Sequence, residues 1–221
     1  MGILNLFSKL IPQKLRVKFS DNEYNRHYQE KKKALEIILG PMYELVHHAV
    51  IPYALGGPVD IYFFTETLKG TALVTMELID PDGTGPRPNK YGTFELIAFT
   101  KYKVTRDILN KTDSEFSKIE LRIRKIFTVL ANYSKETIIN PKDTCEIPLE
   151  EMKSTYLIFD LFPDKNPLYK IFDKSHILLL CIEVFPSEMA YAMKNGTQKL
   201  LEKLQDKGYY PYSDLDRKLV I

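Results

Sequence analysis

The ten residues HILLLCIEVF, 176–185, constrain this chain more than any other stretch. They form its most apolar run, and Pro186 follows at once. A short run rich in Ile, Leu and Val, closed by a breaker, reads as a buried strand. No window approaches the roughly 20 apolar residues that a membrane-spanning helix requires. The chain must therefore build a sheet around this run.

Other strands are legible nearby. VDIYFFTETLKGTALVTMELID, 59–80, reads as a hairpin turning at Lys69 and Gly70. YGTFELIAFTKYKV, 91–104, carries Phe94, Leu96 and Ala98 against Glu95, Ile97 and Phe99. Apolar residues on both faces make it a central strand. Residues 43–50, 144–149 and 155–162 read as further strands, and 80–89 reads as a loop from its Pro, Gly, Asp and Asn. Ser20 and Glu23 form a capping box that opens a helix running to Leu39, stopped by Gly40-Pro41. Tyr24, Tyr28, Ala34, Leu35 and Ile38 are expected on its inner side. A second helix is expected to be capped by Asp113. Phe116, Ile119, Ile123, Ile126, Phe127 and Leu130 form its packed stripe, and Glu120, Arg122, Arg124 and Lys125 are expected in water. Pro186 opens a third helix, Asn195-Gly196 breaks it, Thr197 restarts it, and Gly208 closes it. Hairpins mixed with interleaved helices predict an α+β fold: a mixed, mostly antiparallel sheet flanked by helices.

Composition narrows function more than fold. A net charge of +2 makes no case for nucleic acid. The 14 Tyr and 12 Phe, with no Trp, place aromatics in the core and some Tyr at the surface. Two cysteines, Cys145 and Cys181, read as buried thiols of a reducing, cytoplasmic setting and not as a disulfide framework. Residues 1–18 make a short amphipathic segment with Ile3, Leu4, Phe7, Leu10 and Ile11 on one side and Lys9, Lys14, Arg16 and Lys18 as its charges. It is expected to pack on the chain or fray. Residues 19–221 are expected to form one domain. Acids gather in 141–165: Asp143, Glu146, Glu150, Glu151, Asp160 and Asp164.

The sequence carries no recognisable catalytic pattern. His47 and His48 are adjacent, so on a strand they point to opposite faces and do not share a metal. A third ligand would have to come from His27 or His176, and no HExxH or CxxC spacing is present. Cys181 lies in the apolar run, and Cys145 sits beside acids that raise a thiol pKa. Gly83-Thr84-Gly85 leads into Pro-Arg-Pro and not into a helix, so it is no phosphate cradle. No cofactor is expected.

Several segments, in order, resemble the Suppressor of fused family, in its bacterial single-domain form. Ile177–Val184 matches the family's apolar strand. Glu188-Met189 matches its helix start, Asn195-Gly196 its break, Leu200-Leu201 its Leu-rich helix, and Ser213-Asp214-Leu215-Asp216-Arg217 its ending. Glu95-Leu96 in YGTFELIAFT, and the strands VDIYFF and ALVTMELID, also fit, so the resemblance spans about residues 40–217. Two places depart. Met76-Glu77-Leu78 stands where the family has Gly-Met/Leu-Ser, and Lys142-Asp143 stands where it has a Gly-Asp turn before the fifth strand.

The resemblance implies the N-terminal fold of Suppressor of fused and a non-catalytic protein-binding module. Animal members take a transcription-factor peptide as an added strand, and bacterial ones look like immunity proteins that neutralise a toxin. It points to Asp143, at the turn, and to Asp214 and Arg217, in the ending, as partner-binding residues; Glu146 joins them from the acidic segment 143–164, whose charge suits a basic toxin. The competing expectations are an enzyme with a non-standard site around His47 and His48, or a membrane-associated adaptor working through residues 1–18.

Overall fold

The computed structural model describes residues 19–109, 111–150, 153–163 and 165–221. The amphipathic segment 1–18, and with it Glu151 and Asp164, lies outside the described residues. Among those described, eight strands form one sheet: β1 Met42–His47, β2 Ile61–Phe64, β3 Thr71–Val74, β4 Phe94–Thr100, β5 Thr144–Glu150, β6 Lys153–Phe162, β7 Leu168–Ile171 and β8 Lys174–Val184. Five helices accompany it: α1 Asp21–Leu39, α2 Arg106–Leu109, α3 Glu115–Tyr133, α4 Pro186–Asn195 and α5 Thr197–Asp206.

The strand order is β1-β2-β3-β4-β8-β6-β5, with β7 paired to β8 off this path. Only β4 and β8 run parallel, with Phe94 to Ile97 opposite Ile177 to Leu180. The other pairings are antiparallel. β4 sits fourth of seven along the path, central as its two apolar faces predict.

The apolar run is explained by what covers it. Leu178, Leu180 and Ile182 join the core beneath α1, α4 and α5, with Leu35, Leu39, Met189, Leu200 and Leu204. Ile177, Leu179 and Cys181 join the core beneath α3, with Phe116, Ile123, Ile126, Phe127 and Leu130. Helices thus cover both faces of a mixed sheet.

Two helix faces differ from expectation. On α1 the buried positions are His27, Lys31, Leu35 and Leu39, spaced four apart, while Tyr24 is exposed. A lysine occupies that stripe because its charge is met inside. Lys31 Nζ lies 2.6 Å from Glu95 Oε1 and donates to the carbonyls of Met76 and Ile79 at 2.9 Å each. Glu95 also accepts from Thr75 Oγ1 and the backbone N–H groups of Leu78 and Ile79. A buried pair persists only when its remaining hydrogen-bonding capacity is filled this way.

On α3, Ser114 and not Asp113 is the cap, its hydroxyl accepting from Ser117 N at 3.1 Å. Glu120 is buried rather than in water, 3.0 Å from His47 Nδ1. Arg122 forms a forked bond to the buried Glu183 of β8, with Nε 2.8 Å from both carboxylate oxygens. Neither β7 nor the four-residue α2 is foreseen in the sequence.

Candidate functional site

β5 ends the sheet. Its inner side pairs with β6, from Thr144 opposite Ile158 to Glu150 opposite Lys153. Among the described residues no strand pairs with its outer side. Pro148 belongs on such an edge, because a proline gives no N–H to a ladder.

The strand begins at a bulge. Lys142 N donates to Phe159 O at 2.7 Å, and Phe159 N donates to Asp143 O at 3.1 Å. Two residues thus face one, and Lys142 takes a φ of 76°. Glycine is the usual occupant of this conformation. The Lys142 ammonium lies 2.7 Å from Asp160 Oδ1. Asp143 fixes the turn before it, its carboxylate accepting from Asn140 N at 2.8 Å and Asn140 Nδ2 at 3.2 Å.

The bulge sets which backbone groups look outward. With Asp143 bonded to Phe159, the two-residue period of an antiparallel ladder turns Cys145 and Ile147 toward β6. Thr144 and Glu146 then direct N–H and C=O to the open side, and Pro148 directs a carbonyl alone.

A groove of about 430 Å³ wraps the start of this edge. Tyr133 and Ile138, from the end of α3 and the loop after it, form one wall; Met193 and Gly196, at the α4–α5 corner, form the other. Met193 is 74% exposed, and Tyr133 and Ile138 are about half exposed. The base carries Asp143, Thr144, Cys145 and Phe159. Burial first, and the Glu146 carboxylate second, push the Cys145 thiol up, so it is protonated at neutral pH.

The four residues expected to meet a partner divide into two pairs. Asp143 is half-buried at the groove and Glu146 is exposed on the edge strand. Asp214 and Arg217 are engaged inside the fold. Asp214, 5% exposed, accepts from Thr100 Oγ1 at 2.6 Å and from Lys101 N at 2.7 Å. Burial raises its pKa. Arg217 forks onto Glu188 of α4 at 2.7 and 2.6 Å, and Val220 N reaches the same carboxylate at 3.1 Å. Both side chains are buried, and the guanidinium lies over the rings of Phe185 and Tyr209.

His47 and His48 diverge as adjacent strand residues do. His47 meets Glu120, whereas His48 Nδ1 lies 2.6 Å from Asp60 Oδ2. Asp60 also accepts from Ala49 N and donates its own N–H to Glu77. Burial, and the Asp60 charge beside it, raise Glu77 to about 7. No set of three His, Cys, Asp or Glu among the described residues is placed to hold a metal ion. Cys181 is buried and free.

The groove walls are what sequence reasoning missed. Met193 and Ile138 are far apart in the chain and read as ordinary helix and loop residues. The one available signal was Pro148 inside an otherwise strand-like run, which marks an edge.

No family model and no curated protein matches the chain. Its fold is similar to that of a chain in the Sufu–Fu complex crystal structure, with a TM-score of 0.55 and 16% sequence identity. The match covers 87% of this chain and 89% of that one. This likeness shows that the chain has an α+β fold like that of Sufu, the architecture that its ordered motifs imply.

Proposed function

We propose that the protein is a non-catalytic binding module that takes an extended segment of another protein as an added strand on β5. One observation carries this reading: a strand edge unpaired among the described residues lies between two exposed apolar walls. Backbone bonding along such an edge supplies affinity, and pockets for alternate side chains supply specificity. An added strand would send successive side chains toward Tyr133 and Ile138 on one face and Met193 on the other. The solved neighbour, titled as a complex of Sufu with Fu, fits a fold used for partner binding.

The partner is basic. Asp143 and Glu146 stand at the edge, and Lys142 is already paired with Asp160. Opposite charge speeds encounter. A basic toxin is such a partner, and the protein is then its immunity protein, acting in the cytoplasm. Asp214 and Arg217 serve the same site indirectly by holding the C-terminal tail, Asp214 against the end of β4 and Arg217 against α4.

The reading is tested with peptides selected from a random display library against the wild-type chain. Glu146→Pro removes one outward N–H at a position equivalent to Pro148, and Glu146→Lys reverses one charge. Both are expected to weaken selected peptides at least about tenfold, the equivalent of roughly 1.4 kcal/mol. Peptides that bind both variants as tightly as wild type would sink the proposal. The enzyme alternative has less support, since His47, His48, Asp60 and Glu77 line neither the groove at β5 nor the cavity described below. No helix of the described residues is long and apolar enough to cross a membrane.

A further inference from the structure

A second cavity, of about 390 Å³, lies between α1, the loop at Pro81-Asp82 and the turn between β7 and β8. It shares no lining residue with the groove at β5. Its inner wall includes His27, which is 5% exposed and has no hydrogen-bond partner among the described residues. Its ring nitrogens are not among the polar atoms sealed from solvent, so they open onto this cavity and can meet a ligand there.

The turn beside it is strained. Ile171 pairs with Lys174, so Phe172 and Asp173 make a two-residue hairpin turn. Phe172 takes a φ of 55° there, a conformation suited to glycine or asparagine. The ring is 43% exposed and lines the cavity with Phe19. Strain of this kind is most often kept where a side chain is needed in place.

The charges around the cavity favour a cation. Glu23, whose carboxylate closes the capping box with Ser20, and Arg26 come from α1, Asp82 from the loop and Asp173 from the turn. Asp82 accepts from Thr84, and its backbone carbonyl accepts from Lys174. The Arg26 guanidinium lies 4.9 Å from the Phe172 ring centroid, so this aromatic face already carries a cation of the fold's own. Burial, with Lys31 and His176 behind it, lowers His27 to about 4, so its ring is neutral at pH 7 and keeps a lone pair.

We propose that this cavity binds an alkylguanidinium or alkylammonium group, with the cation against Phe172 and Asp173 and an N–H donated to the His27 ring. The group is an arginine or lysine side chain of a bound polypeptide, or a free small amine.

The test uses the full chain at pH 7, with ring proton resonances of the four histidines followed by NMR. Ethylguanidinium chloride is titrated against sodium chloride of equal ionic strength. The His27 resonances are expected to move saturably while His47 and His48 stay still. His27→Phe removes the acceptor and is expected to weaken binding about tenfold, as loss of a charge-assisted hydrogen bond does. His27→Gln keeps an acceptor and retains binding. Asp173→Asn, at an exposed position, weakens it without touching the core. Arg26→Ala is expected to tighten binding, because it removes the competing cation. No saturable shift, or weaker binding in Arg26→Ala, would overturn the proposal, as would inorganic phosphate moving His27 in place of ethylguanidinium. Acetyl-Gly-Arg-Gly-amide and agmatine separate the two sources: a tighter peptide points to a polypeptide side chain, a tighter agmatine to a free amine.

Discussion

The edge at β5 and the seam beyond the parallel pair of β4 and β8 present the same kind of gap, and the fold treats them in opposite ways. The β4–β8 pairing ends at Ile97 and Leu180, and the strands then part. The tail fills that space. Tyr212 runs parallel to Phe99, Ser213 N donates to Phe99 O at 2.8 Å, and Glu183 N donates to Ser213 Oγ at 2.9 Å. Asp214 then ties down Thr100 and Lys101, and Arg217 locks onto Glu188. At β5 no such cover exists among the described residues, and apolar side chains stand beside free backbone groups. Asp214 is therefore a fastener within the fold, whereas Asp143 and Glu146 stand at an open edge.

The sharpest way to break this comparison is to cut the seam. Glu188→Ala leaves the Arg217 guanidinium buried without its carboxylate, and Arg217→Ala does the converse. Each is expected to cost about 3–5 kcal/mol by urea unfolding, as one-sided removal of a buried pair does. Asp214→Ala loses two internal hydrogen bonds and is expected to cost about 1–3 kcal/mol in the same assay. Stability unchanged within about 0.5 kcal/mol in these three would mean that the tail is not a fastener.

The edge predicts the reverse pattern. Glu146→Gln is expected to leave stability within about 0.5 kcal/mol, as exposed substitutions do, while weakening a selected basic peptide. Calorimetric binding and urea melts on one sample separate the two effects.

Acid should loosen the α1 side. His27 and His176 are both lowered to about 4 by burial, and Lys31 adds to the effect. Unfolded histidine titrates near 6.5, so between about pH 6.5 and 4 the unfolded chain holds more protons. Stability therefore falls as pH drops through that window. A flatter acid limb in His176→Asn, by thermal melts from pH 7 to 4, is the expected sign. Glu77 works in the other direction. Its folded value of about 7 lies above its ordinary 4.5, so its contribution is full at low pH and is lost as pH rises through 7.

What the sequence made legible follows from local physics. The capping box at Ser20 and Glu23, the turn at Lys69-Gly70 and the break at Asn195-Gly196 depend on neighbours in the chain, and all stand where their residues place them. The hidden parts depend on distant partners. Lys31 reads as a solvent residue until Glu95 is brought to it, and Arg122 until Glu183 is. Glu183, the lone carboxylate of the apolar run 176–185, was the available hint, since a buried carboxylate requires a partner. Asp143 and Glu146 could be found from a turn and a strand, but the walls around them could not. β7 escaped because Leu168–Ile171 is short and follows a Pro-rich stretch.

The most direct measurement is residue-resolved hydrogen exchange along β5, free and with a selected peptide bound. Fast exchange is expected at Thr144 and Glu146, and slow exchange at Cys145 and Ile147, in the free chain. Peptide should slow Thr144 and Glu146 alone within the strand. Equal protection of all four amides in the free chain, or a bound peptide that leaves Thr144 and Glu146 fast, would contradict strand addition at β5.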